Sequence, residues 1–369
     1  MALAVTLLAV PTASAREPLA AASVSAAKPG AANAVTADAA ERRQKKRKKW
    51  KAPRVPVGVS PGFGVIDLSP AAQAADFRAA KSAGVNRVRL DVGWARIEQS
   101  PGQYNWADTD RVIRSARQAG LQVLAVTGYR PHWARPLKEA AGRRQFARFV
   151  GAAARRYRTQ VRSWELWNEP NRTMGWDGDL PSPVVYARMV DVVGAAIRRS
   201  APRARIVIGA FSPADDAADG SAYSPVTFLR QVYAAGVDRR RFDAVSVHPY
   251  SYPALPGSTE SWNTFFRMRA MYDVMRRAGD GRKKIWMTEY GAPTGASDRS
   301  VPGDLQAQMI TQAITLARRL PFTGPIYLYA LRDLSNEPAD IESNFGLIGH
   351  DGQPKPAYFA LRSMLRRAN

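Results

Sequence analysis

From about residue 55 onward, short β-rich apolar runs alternate with amphipathic helical stretches, and no other feature of the chain constrains its fold as strongly. Strands are expected at 55–59, 87–92, 122–127, 162–167, 205–210, 242–248, 284–288 and 325–331. Helices are expected near 70–83, 107–119, 137–157, 181–200, 225–235, 260–278, 304–319 and 356–367. Ser69-Pro70 and Ser182-Pro183 read as helix starts, because the hydroxyl can accept from the open N–H groups of the first turn. Gly84 and Gly120 read as stops. Eight strands, each followed by a helix, is the count for an α/β chain closed into a (β/α)8 TIM barrel. A doubly wound open sheet usually has fewer strands and a glycine-rich phosphate loop, which this sequence lacks. The strands are not near-identical repeats, which excludes a solenoid.

The chain has 369 residues, more than the ~250 of a minimal barrel, and the surplus lies mostly at the front. Residues 1–15 pair an apolar run with Ala13-Ser14-Ala15, an export-signal pattern whose basic start is missing. Residues 16–54 are first Ala-, Ser- and Thr-rich and then basic, from Glu41-Arg42-Arg43 through Lys51, as in a solvated linker. The catalytic unit is therefore expected at 55–369, in a secreted or cell-envelope protein. The 41–54 segment is either a tether to an anionic cell-wall or membrane surface or a plain solvated tail. The net charge of +23 extends into the body of the chain and favours encounter with polyanions. Charge alone does not make a nucleic-acid binder, and no recognition motif accompanies it. With no cysteine and three histidines, neither a disulfide framework nor a histidine-rich metal site is expected, and no cofactor is implied. The oligomeric state is not readable.

Two segments carry chemistry. Trp164-Glu165-Leu166-Trp167-Asn168-Glu169-Pro170-Asn171 ends the fourth strand, where Pro170 stops the ladder and leaves Glu169 at the rim. Trp286-Met287-Thr288-Glu289-Tyr290-Gly291 ends the seventh, with Gly291 expected to permit a sharp turn and Tyr290 to donate to a carboxylate. In a barrel, C-terminal strand ends converge on one pocket. Two facing carboxyl groups are the equipment for splitting a glycosidic bond. Glu165, inside its strand, is read as structural and paired to an arginine. Trp133, Trp167, Trp176 and Tyr252 follow strand ends, where aromatic rings can stack on sugars or pack in the barrel top. Trp176, in a polar glycine-bearing loop, is the foremost platform candidate. Trp94 and Trp106 are assigned to structure.

These motifs resemble the clan A glycoside hydrolases. The likeness extends through Arg89-Leu90-Asp91-Val92-Gly93-Trp94, Tyr129-Arg130-Pro131-His132-Trp133-Ala134, Phe345-Gly346-Leu347 and Lys355-Pro356-Ala357-Tyr358, segments similar to family 39 and its neighbours, with bacterial exopolysaccharide endoglycosidases nearest. The resemblance implies a retaining reaction in which Glu169 is the acid/base, kept protonated by a raised pKa, and Glu289 the nucleophile. It implies that Asn168 meets the sugar 2-hydroxyl and that Arg89 lies beneath the nucleophile. His248 and Tyr250 would hold Glu289 and the substrate, and Tyr129 joins the binding residues. A strand-eight tryptophan common in the clan is replaced by Tyr329. The expected partner is a polysaccharide or oligosaccharide, cut internally. An exo-acting β-xylosidase-like enzyme and a non-catalytic glycan-binding barrel are the competing readings.

Overall fold

The computed structural model describes residues 55–176 and 178–367. The signal-like segment, the Ala-rich linker and the basic 41–54 stretch lie outside them. Eight parallel strands close in chain order: β1 Val57–Ser60, β2 Arg87–Gly93, β3 Gln122–Gly128, β4 Val161–Leu166, β5 Arg205–Phe211, β6 Ala244–Val247, β7 Lys284–Tyr290 and β8 Thr323–Tyr329. A helix follows each strand: α1 Pro70–Ser82, α2 Ala107–Gln118, α3 Ala140–Arg156, α4 Pro183–Ser200, α5 Pro225–Ala234, α6 Thr264–Arg277, α7 Gly303–Arg319 and α8 Pro356–Arg366. The molecule is thus a (β/α)8 TIM barrel, as the alternation of the sequence predicts. No helix among the described residues is long and apolar enough to cross a membrane.

Local chemistry sets the helix starts. Ser69 accepts from the Ala72 N–H at 3.2 Å and Ser182 from Val185 at 3.3 Å. A third Ser-Pro pair works alike, with Ser224 accepting from Thr227 at 3.2 Å. Each proline occupies the first helical turn, where its missing N–H costs no hydrogen bond.

The barrel interior is layered. At its N-terminal end, Trp286 and Tyr327 pack with Leu124, Val207 and Ala244 as a buried plug. Glycines make room for the two rings: a Cβ on Gly58 would lie 2.4 Å from Tyr327, and one on Gly324 would lie 2.5 Å from Trp286. Above the plug, the interior turns polar with Arg89, Glu165 and Ser246, all buried. Charges at such depth need complete pairing, and this layer supplies the floor of the site.

Candidate active site

Arg89 of β2 is the hub. Its Nε donates to Glu165 at 2.7 Å, its Nη1 to Glu289 at 2.5 Å and its Nη2 to Asn168 at 2.6 Å. Glu165 is completed by the Ser246 hydroxyl at 2.5 Å, which in turn accepts from the Ala210 N–H at 2.8 Å. Glu165 is therefore a structural anion that fixes the guanidinium. The planar fork can serve three acceptors on two strand ends at once, which a lysine could not do with this geometry.

Glu289 receives a second donor, the Tyr250 hydroxyl, at 2.9 Å. His248 Nδ1 stands 2.8 Å from Glu169 and 3.4 Å from Glu289. An ionised carboxylate only accepts, so Nδ1 carries the proton in the Glu169 contact. One oxygen of each glutamate and a ring nitrogen of His248 all lie within 4.8 Å of one another. Such a trio resembles a metal-ligand set, but the cation beside Glu289 is already the Arg89 guanidinium.

The backbone around these groups is strained. Tyr129, Trp167, Glu169 and Ala210 have φ of 62°, 74°, 52° and 49°, a left-handed region that non-glycine residues rarely enter. All four lie at or just past the C-terminal ends of β3, β4 and β5, where such outliers mark functional sites. Close packing holds them. The Glu169 N–H bonds the Ala210 carbonyl at 3.1 Å. The Glu169 carbonyl lies where a Cβ on Gly175 would be, at 2.0 Å. Asn171, fully buried, donates to the Ser212 and Tyr223 carbonyls at 2.9 and 2.8 Å and accepts from the Ser212 N–H at 2.8 Å. It fastens the Glu169 loop to the end of β5. The β7–β8 register shifts between Met287 and Tyr290, the stretch that carries Glu289, and such irregularities re-aim side chains beside active sites.

Electrostatics differ between the groups. Burial pushes the Glu169 carboxyl up, but donation from His248, its charge, Ser212 and Arg172 outweigh burial and hold it below the usual value. This runs against the expectation of a raised Glu169 pKa: its nearest partner is a donor that stabilises the anion. Asp91, at the end of β2, is pushed up to about 6, mainly by burial and also by Glu289, while Arg89 and a long Tyr129 contact of 3.5 Å pull it down. Burial and the charges of Glu289 and Glu169 raise Glu342 as well.

A cleft of about 840 Å³ opens above this network. Asn168, Glu169, Glu289, Tyr129, Tyr250, Tyr329, Trp167 and Tyr252 line it, as their strand-end positions predict. Arg89 and His248 are buried beneath, so His248 does not reach the substrate space and sits nearer Glu169 than Glu289. Two platform expectations fail. Trp176 is only 5% exposed, because its loop folds back and wedges the ring edgewise against Trp167 and Tyr186. Trp133 packs edgewise on Trp94 and donates to the Glu98 carbonyl at 2.9 Å. Tyr290 does not touch a carboxylate either: its hydroxyl meets Ser251 at 3.1 Å inside the core. Gly291 is required for space, since its Cβ would fall 1.8 Å from the Tyr329 carbonyl. The exposed aromatic ring of the cleft is Trp262, 42% exposed in the loop before α6. A large ring amid Ser, Thr, Glu and Asn was the available signal for it. Arg172 and Glu342 also line the cleft without having been foreseen.

The closed barrel and the paired carboxylates at its C-terminal mouth define a clan A glycoside hydrolase. The chain belongs to the family described as cellulase (glycosyl hydrolase family 5), whose model matches residues 55–318. Among curated proteins it is similar to endo-1,4-beta-xylanase 3 of Hypocrea jecorina, 29% identical over 154 residues, a match covering 39% of this chain and 43% of that one. The chain thus spans less than half the length of that relative. A solved family 39 glycoside hydrolase from Bacteroides cellulosilyticus WH2 superposes with a TM-score of 0.66 at 22% identity, covering 85% of this chain and 64% of that chain. A monomeric beta-xylosidase from Caulobacter crescentus CB15 gives 0.65 at 17% identity, covering 85% and 68%. The family 39 likeness of the sequence motifs is consistent with these neighbours.

Proposed function

We propose that the protein is a secreted, retaining β-glycoside hydrolase that cuts within a polysaccharide, with Glu169 as acid/base and Glu289 as nucleophile. The observation that carries this reading is the approach of the two glutamates, whose oxygens come within 4.8 Å around His248. Retaining enzymes space their carboxyl groups ~5–5.5 Å apart, and inverting enzymes ~6.5–9.5 Å to admit a water. Arg89 and Tyr250 hold Glu289 as an aimed anion, ready to attack the anomeric carbon. Glu169 must arrive protonated. A bound sugar displaces water from it, which adds to the burial that already favours the neutral acid. It gives its proton to the departing oxygen and, as a base, then draws one from the water that releases the sugar. Asn168, turned by Arg89 so that its carbonyl is engaged, offers its amide N–H groups to a sugar hydroxyl.

In this reading residues 55–369 form the catalytic domain, 1–15 an export signal, 16–40 a linker and 41–54 a tether to an anionic surface. Cutting inside a chain fits a cleft broad enough for sugars beyond the one attacked, and the name of the Hypocrea jecorina relative points the same way. The Caulobacter crescentus neighbour is a beta-xylosidase, which favours exo action as the second reading. Release of reducing ends from a panel of β-linked neutral and acidic polysaccharides tests both, with Glu289→Gln as control. Internal cutting yields mixed oligosaccharides, and exo cutting yields one sugar. Proton NMR of the first product gives the anomer, and inverted product defeats the roles assigned to the pair. Binding without release by either protein would leave a glycan-binding barrel.

A further inference from the structure

A second cavity opens at the other end of the barrel, where β5 and β7 begin. It measures about 280 Å³ and lies between the α4–β5 and α6–β7 turns, with Trp286, the ring of the barrel plug, in its wall. Six of its eleven lining residues are Arg or Lys. Arg198 and the lone lining carboxylate, Asp243, pair at 2.8 Å, and Asp243 also accepts from the Ile206 N–H at 2.7 Å. Lys283 pairs with Asp280 at 2.9 Å, and Lys284 donates to the Pro321 carbonyl. Arg203, Arg205 and Arg282 are exposed on the rim and, among the described residues, have no carboxylate partner. The cleft is different: there Arg172, Arg267 and Arg299 stand against Glu169, Glu289, Glu342 and Asp215.

Three guanidinium groups around one concavity, without anions to satisfy them, focus positive potential into a space where an anion can be surrounded. Each fork presents parallel N–H donors matched to oxyanions. A tetrahedral ester, with oxygens on several sides, can engage three forks at once, whereas a carboxylate has two oxygens in one plane. Trp286, only 3% exposed, closes the bottom of the cavity and leaves the guanidinium groups at its rim to meet the ester. We propose that this cavity binds a tetrahedral oxyanion ester, phosphate or sulfate, carried on a glycan. The site would hold the enzyme on an anionic polymer while the cleft at the far end stays open. Nothing in it depends on the roles of Glu169 and Glu289.

The test uses the full chain and four dextrans of one length: unmodified, carboxymethylated, phosphorylated and sulfated. The common backbone is α-linked, so the cleft proposed to act on β-linked sugars is not the reader. Affinity electrophoresis is expected to show retardation by the phosphorylated or the sulfated polymer, and the stronger of the two names the ester. Arg203→Glu, Arg205→Glu and Arg282→Glu together should weaken that binding at least about tenfold. Arg144→Glu, Arg148→Glu and Arg155→Glu, exposed on α3, impose the same change in net charge and should leave binding within about twofold. The triple glutamine variant at 203, 205 and 282 and a thermal melt guard against misfolding. Equal weakening by both glutamate sets would reduce the attraction to overall charge and overturn the proposal. So would no weakening by the first set, or carboxymethyl dextran binding as well as the two tetrahedral esters.

Discussion

The two ends of this barrel handle charge in opposite ways. At the C-terminal mouth the charges around the hub are answered: Arg89 by Glu165 and Glu289, Glu169 by His248, and Glu289 again by Tyr250. The backbone there is strained and glycines are packed against carbonyls. At the N-terminal end no described non-glycine residue has a positive φ, and three arginines stand on the surface without a carboxylate. The contrast teaches that charge density alone does not mark chemistry. What marks it is charge taken out of water, which the fold must pair or lose stability. Surface arginines cost little to leave alone, so an unpaired cluster points to what comes from outside.

The contrast breaks most easily at the hub. Glu289→Gln should lower hydrolysis at least about 10³-fold while leaving the melting temperature close to that of the parent, since the amide keeps the size of the group. Arg89→Met should also abolish activity, and it leaves Glu165 buried and Glu289 half-buried without their cation. A destabilisation of about 3–5 kcal/mol is expected in urea unfolding. If Arg89→Met unfolds at the parent's midpoint, the mouth is no more tightly bound than the surface and the comparison fails.

Sequence reasoning reached the fold and the catalytic candidates because both rest on short-range signals. Strand and helix periods repeat every few residues, and Glu169 and Glu289 sit in strand-end motifs whose convergence follows from barrel topology. The partners were harder to see. That Glu169 lies against a donor depends on how the β4 and β6 ends approach in space. Trp176 looked exposed in a polar glycine-bearing stretch, yet Gly175 there lets the loop press onto Glu169 and carry the ring inward. Trp262 fell inside the helix expected near 260–278, whereas that helix starts at Thr264 and leaves the ring in the loop before it. Gly291 was credited with turn freedom when its place is dictated by a carbonyl from β8, a contact between residues distant in sequence.

Effects of middle size should follow from the loop that holds Glu169. Gly175→Ala would drive a methyl into the Glu169 carbonyl, where backbone cannot retreat cheaply. A loss of about 1–3 kcal/mol is expected, with kcat falling more than KM changes. Asn171→Ala strips three hydrogen bonds from a buried clamp and should cost a similar about 1–3 kcal/mol. Activity unchanged in both would show that the strained conformation is incidental to Glu169.

His248→Leu probes the pairing itself through pH. Donation from His248 lowers the Glu169 pKa, so its removal must raise it. If Glu169 acts as the acid, hydrolysis is lost as pH rises through that pKa. The alkaline limb of kcat/KM should therefore move to higher pH in the variant, even as the rate falls. A limb that stays fixed or moves down would detach Glu169 from the acid role.

The smallest effect belongs to the far end. The glutamate variant at 203, 205 and 282 alters three exposed side chains that hold no carboxylate in place. Its unfolding free energy should stay within about 0.5 kcal/mol per site, and any change should be toward greater stability as like charges around the cavity are relieved. Raising the salt concentration should erase that gain, because exposed charges are screened over about 10 Å at 0.1 M. The same salt should leave most of the cost of Arg89→Met untouched, since Glu165, one of the anions it strands, is fully buried. A salt-insensitive penalty at 203, 205 and 282 would mean that these arginines brace the barrel after all, and the two ends would then differ in degree only.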